Sequence, residues 1–283
     1  MAGFRNRREW LAAETDGSRR LGNFRKVPSQ ASVAGWWVDL SMASGNPKPN
    51  YYAADPLVAA TLSGFNGILH GDDVAPKRKY LTRIGMATPT AGLVGQYNLL
   101  DYLLYYPFVD GDSSDEQVLD NTVTLPRYED GDGVRAVAVA VTPSTGSGQF
   151  TYTYTDHNGD TRVSPNIFCS VAAANIASVV TSEPATAAGG MLYLPMASGS
   201  RGIRKINSIT FSVLNGGLIA LVLVKPIAAH AIYEAGVPSE THWPQEKFAP
   251  PEIKDDAYLN LMMRCTATVA AGLLAGDLDT TFK

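Results

Sequence analysis

The sequence predicts a mainly β protein: a two-sheet sandwich or jelly-roll-like body, with one short helix and long loops in the N-terminal half. Three observations carry this. The stretch "QFTYTYT" sets Phe150, Tyr152 and Tyr154 against threonines, the two-residue period of a half-buried strand. Asn158-Gly159 and Asn215-Gly216 fall between such runs, where Asn-Gly pairs reverse the chain. From Val134 onward the pattern is almost wholly strand-like, and about eight strands fit there, the number a sandwich or jelly roll uses.

Taken in chain order, residues 1–30 read as a basic arm. Residues 1–26 carry Arg5, Arg7, Arg8, Arg19, Arg20, Arg25 and Lys26 against three acids, net +4, within a chain of net charge -4. The segment has no strong core pattern, so its deletion is expected to leave the body folded. "WWVDLSM" places Trp36, Val38, Leu40 and Met42 on one side, as in a strand. In "YNLLDYLLYYP" the residues Leu99, Leu100, Leu103 and Leu104 fall at helical spacing before Pro107, which predicts a short buried helix. The rest of residues 31–133 is rich in Gly, Pro and Asn and reads as loops.

In residues 134–283, "VRAVAVAV" is a β run closed by Pro143, and "DHNGD" turns "QFTYTYT" into "TRV" as a hairpin. "NSITFSVLNGGLIALVLVKP" alternates through Ile209, Phe211 and Val213 and turns at Asn215-Gly216. It then runs apolar on both faces from Leu218 to Val224, which predicts a second hairpin with a central return strand. "AYLNLMMRC", with Leu259, Leu261, Met263 and Cys265 on one face, and "GLLAGDLDTTF" add two strands, and short pieces sit at Ile167 and Leu192. The segments divide as arm (1–30), mixed region (31–133) and β-sandwich (134–283), or form one continuous domain.

Composition bounds the classes of function. An apolar fraction of 45% with 18% charge over 283 residues suits a globular body rather than a disordered chain. The opening residues lack the apolar core of a signal peptide. The longest apolar run, Leu218 to Val224, is far short of the ~20 residues of a membrane helix, so a soluble protein with no membrane partner is expected. With no net-basic body behind the arm, nucleic acid is not the expected partner. Cys169 and Cys265, the two cysteines, lie far apart in apolar segments and read as buried thiols, a disulfide being the alternative.

"DGDSSDEQVLDN" offers Asp110, Asp112 and Ser114 at alternating positions, as a calcium loop does. Asp115 stands where the sharp turn needs Gly, however, and Asn121 where a bidentate Glu belongs. A looser cation site shared by Asp110, Asp112 and Asp115 with Glu129, Asp130 and Asp132 is the lesser reading beside a solvated turn. The formal dinucleotide fingerprint "GDGVRA" (Gly131 to Ala136) precedes a strand instead of opening a helix. None of His70, His157, His230 and His242 accompanies a Ser or Cys in a nucleophile-elbow setting. Trp36 and Trp37 would serve a sugar-directed module if either lined a groove. Leu100 and Leu104 read as core, and Tyr102, Tyr105 and Tyr106 as core or interface. No catalytic residue and no cofactor is predicted.

The phrases "LLDYLLYYPFVDGDSSDEQVLDNTVTLPRYEDGDGV", "TYTYTDHNGDTR", "MASGSRGIRKINSITFSVLNGGLIALVLVKP" and "KDDAYLNLMM" resemble a recurring group of functionally uncharacterised structural (virion) proteins of tailed bacteriophages. The likeness spans most of residues 20–265. It implies a non-enzymatic virion protein, located in the particle, with other virion proteins as partners. The expected role is head decoration or cement, binding the major capsid protein as a homo-oligomer. A tail, collar or fibre component is the rival, and a carbohydrate-binding or carbohydrate-degrading sandwich is the alternative from another class.

Overall fold

The computed structural model describes residues 4, 6–28, 33–144, 147–169, 175–182, 190–246, 249–268 and 271–283. Helix α1 (Arg7–Thr15) opens the chain, followed by β1 (Arg19–Val27), β2 (Trp37–Asp39), β3 (Ser44–Asn46) and β4 (Ala60–Thr61). Next come β5 (Lys79–Ala87), β6 (Gly95–Asp110), β7 (Gln117–Val118), β8 (Arg135–Ala140), β9 (Gln149–Asp156) and β10 (Thr161–Val163). Then follow β11 (Ile167–Cys169), β12 (Thr181–Ser182), β13 (Ile203–Val213), β14 (Leu218–Ile232) and β15 (Ser239–His242). The one-turn α2 (Trp243–Glu246), β16 (Glu252–Ile253), β17 (Leu259–Cys265) and β18 (Leu274–Phe282) complete it.

The protein is mainly β and sandwich-like, with three antiparallel sheets rather than two. One outer sheet runs β15-β5-β18-β1-β3 with β16 on β5. The middle sheet runs β2-β17-β6-β14-β8 with β4 on β6, and the other outer sheet runs β12-β11-β9-β13-β7 with β10 on β9. The middle sheet is apolar on both faces because a core lies on each. In β8, Val137 and Val139 enter the first cluster with Leu81, Ile84 and Leu278. Ala136, Ala138 and Ala140 enter the second, with Phe150, Tyr152 and Phe211. β14 divides likewise, Ala220, Val222 and Val224 against Ile219, Leu221 and Leu223.

This layering corrects four expectations. The segment expected as a helix is β6, paired with β14 and β17. A strand covered on both faces loses its alternation, so its leucines mimic helical spacing. Pro107, read as a helix stop, lies at a register shift where Tyr106 and Val109 face Leu221 and Ile219, with Phe108 at φ 56°. There a bulge tolerates the missing N–H. Second, β13 and β14 do not pair as a hairpin. β13 joins β9 and β7 in the outer sheet, β14 joins β6 and β8 in the middle sheet, and Asn215 to Gly217 carry the chain across. The return strand is central, as expected.

Third, the basic segment is no free arm. Asn6 caps α1 by accepting from the Glu9 N–H at 2.9 Å, and Trp10 and Ala13 are buried. The Trp10 ring meets His242 edge-on at 5.3 Å, and Thr281 donates to Glu14. β1 is then held between β18 and β3. Fourth, no boundary falls at residue 134, since every sheet mixes strands from before and after it. Such mixing is the arrangement of the continuous alternative to that division.

Other elements stand close to their readings. β9 and β10 form the expected hairpin, through a wider turn in which Gly159 N–H donates to Asp156 O and Asp156 N–H to Asp160 O. β2 ends at Asp39, whose carboxylate accepts from Ser41 N–H at 2.8 Å and starts a 3-10 turn, Leu40–Met42. Leu192 is buried outside any strand. Among the described residues no helix is long and apolar enough to cross a membrane.

Candidate functional site

The densest polar chemistry lies inside the first cluster, organised by four consecutive residues, Asp255 to Tyr258, between β16 and β17. Asp255 accepts from Val74 N–H and Ala75 N–H at 3.1 and 3.2 Å and pairs with Lys79 at 3.3 Å. Asp256 accepts from Arg127 at 3.1 Å. The carbonyl of Ala257 accepts from His70 Nε2 at 2.9 Å, and Tyr258 N–H donates to Asp101 at 3.0 Å. Beside this stretch opens a groove of about 660 Å³, whose walls include Arg20, Leu21, Leu69, His70, Asp72 and Asp73.

The buried ionisable groups here are committed inward, while Asp72 and Asp73 stand exposed on the groove wall. A carbonyl can only accept, so His70 carries its proton on Nε2, and Nδ1 accepts from the Lys79 ammonium at 3.1 Å. Burial, helped by the Lys79 charge, lowers the His70 pKa to about 4. Lys79 also donates to Gly71 O at 3.2 Å. Its pKa is lowered by burial and held up by Asp255. Buried Arg127 makes a two-pronged pair with Asp101 at 2.9 and 2.6 Å. It also reaches Tyr102 O at 3.0 Å and Leu62 O at 3.2 Å. With Asp256, those bonds use all five guanidinium N–H groups. Burial pushes the Asp101 carboxyl up to about 6 against the pull of Arg127.

A second knot adjoins through Tyr102. Asp39, 1% exposed, accepts from Tyr102 OH at 2.8 Å, from Ser41 N–H and Ser41 Oγ at 2.8 Å each, and from Tyr52 OH. Burial raises its pKa and the four donors lower it. Buried Lys26 donates to Pro47 O at 2.8 Å and Ala43 O at 3.3 Å. Burial lowers its pKa to about 8, with Asp39 opposing. These groups are spent on holding strands and loops together. A general acid, base or nucleophile needs a proton or lone pair free to meet a substrate, and this network has committed its own.

The acids singled out in the sequence are not brought together. Asp110 Oδ1 accepts from Asp112 N–H at 2.9 Å in a turn closed by Gln117, which bonds both the N–H and the C=O of Asp110 at 2.8 and 2.7 Å. Asp115 N–H donates to Ser113 at 3.3 Å. Asp130 accepts from Asp132 N–H at 3.1 Å, and Asp132 pairs with Arg201 at 3.1 Å. Asp110 faces Leu218, whereas the Asp132 carbonyl takes the Lys225 proton. Seven residues of strand separate those anchors, on the order of 20 Å, too far to share one cation. Glu129 neighbours Asp130 in that second turn. Among the described residues no three metal-ligating side chains cluster.

Trp36 and Trp37 are both buried, in the second and first clusters, so neither is a groove platform. Tyr102 and Tyr106 are fully buried, and Tyr105 nearly so. Tyr106 OH donates to Asn121 at 2.7 Å and accepts from Ile206 N–H at 3.0 Å. Gly131 and Gly133, each at φ +71°, turn the chain into β8. His157 Nδ1 accepts from Arg201 N–H at 3.3 Å. His230 lies 2.8 Å from Ser239 Oγ and 3.0 Å from Thr241 Oγ1. Ser239 Oγ, however, donates to Ala231 O. Cys169 is a buried free thiol whose pKa burial raises to about 12. The Cys265 side chain and residue Arg5 lie outside the described ones.

Sequence reasoning missed Asp39, Asp101 and Arg127. A trace was there: Asp39 in "WWVDLSM" and Asp101 in "LLDYLL" are charges inside apolar runs, and such charges are buried only with partners.

No family model matches the chain, and no curated protein matches it. Among solved structures, a D431N mutant VP2 protein of infectious bursal disease virus, from derived T=1 particles, is 10% identical. The alignment covers 93% of this chain and 77% of that one at a TM-score of 0.14, too low to carry an argument.

Proposed function

We propose that this chain is a non-enzymatic structural protein of a bacteriophage particle, a decoration or cement protein that binds the major capsid lattice as a homo-oligomer. One observation carries the reading beside the resemblance in sequence: the outward face of the β9-β13 sheet is built mainly of short hydroxyl and branched apolar side chains, with Lys205 opposite Thr155 as the charge among them. Thr151, Thr153 and Thr155 on β9 point away from the core residues Phe150, Tyr152 and Tyr154. Thr161 and Val163 on β10, Thr210 on β13 and Val118 on β7 extend that face. Val118 and Val163 are 68% and 57% exposed. Short hydroxyl and branched apolar side chains lose little entropy on contact and carry no charge to desolvate, which suits adhesion to a repeating protein surface. The spine of paired ionisable groups supports the same reading, since His70, Lys79, Arg127 and Asp101 brace the body through bonds to its own strands and loops.

Purified particles should contain the chain in stoichiometric amount, and recombinant chain should rebind particles stripped of it. Replacing Thr153 and Val163 with Glu should abolish rebinding while leaving the fold intact. Absence from particles overturns the reading. Antibody labelling confined to the tail would move the protein to a tail, collar or fibre position.

A further inference from the structure

The middle sheet outruns the outer sheet that covers its second face. That cluster includes Leu103, Leu104, Tyr106 and Val109 of β6, and Ile219, Leu221 and Leu223 of β14. It includes no residue from the far ends of these strands. There the cross-strand pairs Asn98–Ala229 and Gln96–Ala231 continue the sheet, on the face opposite Tyr97 and Leu99, which are buried in the first cluster. A groove of about 430 Å³ lies along this end, lined by Gln96, Asn98, Ala229, Ala231, Tyr233 and Thr241 among others. That volume falls within the roughly 300–1,000 Å³ of ligand clefts. Tyr233, directly after β14, is 86% exposed, the most exposed of the large hydrophobic side chains among the described residues.

We propose that this groove binds a neutral saccharide, with Tyr233 as the stacking platform. The reasoning rests on how the groups match a pyranose. One face of such a ring is lined by C–H groups and lies flat on an aromatic ring, whose phenol keeps its polar tip in water. The hydroxyls on the rim each need a donor and an acceptor, and a carboxamide presents both in one plane. Gln96 and Asn98 supply two carboxamides from one strand, side by side. The methyl groups of Ala229 and Ala231 opposite them keep the floor low enough for a ring to approach. No Asp, Glu, Lys or Arg lines the groove, and the His230 ring on its wall is engaged by Thr241 and Ser239, so uncharged sugars are preferred over uronic or sialic acids. The site is independent of lattice binding, since it lies away from the threonine face.

The test is saturation-transfer NMR and calorimetry on the full chain with maltotriose, cellotriose and chitotriose as probes, followed by a glycan array. At least one neutral glycan should bind. Tyr233→Ala should weaken it about tenfold or more, Tyr233→Phe should bind within about threefold of the native chain, and Gln96→Ala should fall between them. Because Tyr233 is so exposed, its replacement should leave the melting temperature unchanged, which separates lost stacking from lost folding. Absence of any neutral glycan binding, or equal binding by Tyr233→Ala, overturns the proposal. Binding confined to charged glycans overturns it as well.

Discussion

Removing Arg127 alone would strand the Asp101 carboxylate in the interior, with the Tyr258 N–H as its remaining protein donor. Arg127→Met should therefore cost about 3–5 kcal/mol, the usual penalty for breaking a buried pair from one side. The double variant with Asp101→Leu should lose much less than the sum of the single losses, because no unpaired charge is left behind. Urea denaturation of the four proteins gives the coupling, and strict additivity would show that the pair does not act as a unit. His70 provides a second test, read through pH. Its pKa falls from an ordinary 6.5 to about 4 on folding, so between those values the unfolded chain binds the extra proton. Stability must then rise with pH from 4 to 6.5 and be complete above, a contribution of about 3 kcal/mol for this 4% exposed side chain. His70→Gln should flatten that slope, seen as a smaller difference between denaturation midpoints at pH 4.5 and pH 7.

Single elements show what kind of burial a sequence can reveal. β9 was legible because one face meets the core and the other meets water, giving the strict alternation of "QFTYTYT". β6 was not, because both faces are covered and no period survives. The β9-β10 hairpin was legible since its partners are neighbours in sequence, whereas β13 and β14, equally close, part into different sheets through choices made by strands far away. The polar spine was half legible for the same reason: Asp101 stands out in its apolar run, but Arg127 and Tyr258 reach it from 26 and 157 residues further on. Element-level tests follow. Gly22 in β1 sits where an added Cβ would lie 1.6 Å from Leu69 O, so Gly22→Ala should sharply reduce soluble yield. Replacing Asp110, Asp112 and Asp115 with Asn should change the melting temperature little, and calcium should not separate the variant from the native chain. Those acids cap turns in solvent and face no shared ion position. A calcium-dependent rise confined to the native chain would count against that account.

At the scale of the whole molecule, the arrangement of layers decides how it unfolds. The middle sheet is the wall of both hydrophobic clusters, and its long strands β6 and β14 come from opposite halves of the chain. The outer β5-β18-β1 sheet joins the N-terminal strand to the C-terminal one. Neither half can bury its apolar faces alone. Residues 134–283, expressed alone, would expose the β6 side of β14 and both edges of β18, presenting long apolar strands for aggregation. That fragment should be insoluble or unfolded by circular dichroism. The full chain should melt in one transition, its calorimetric and van't Hoff enthalpies agreeing, since no cluster can be lost without opening the sheet that supports the other. Two resolved transitions, or a soluble fragment with native near-ultraviolet signal, would mean that the clusters fold independently despite their common wall. Deleting residues 1–27 extends the argument to the terminus: β18 would lose β1, and β3 would lose its strand partner. Such a truncation should cooperatively destabilise the entire body, an outcome that a solvated arm could not produce.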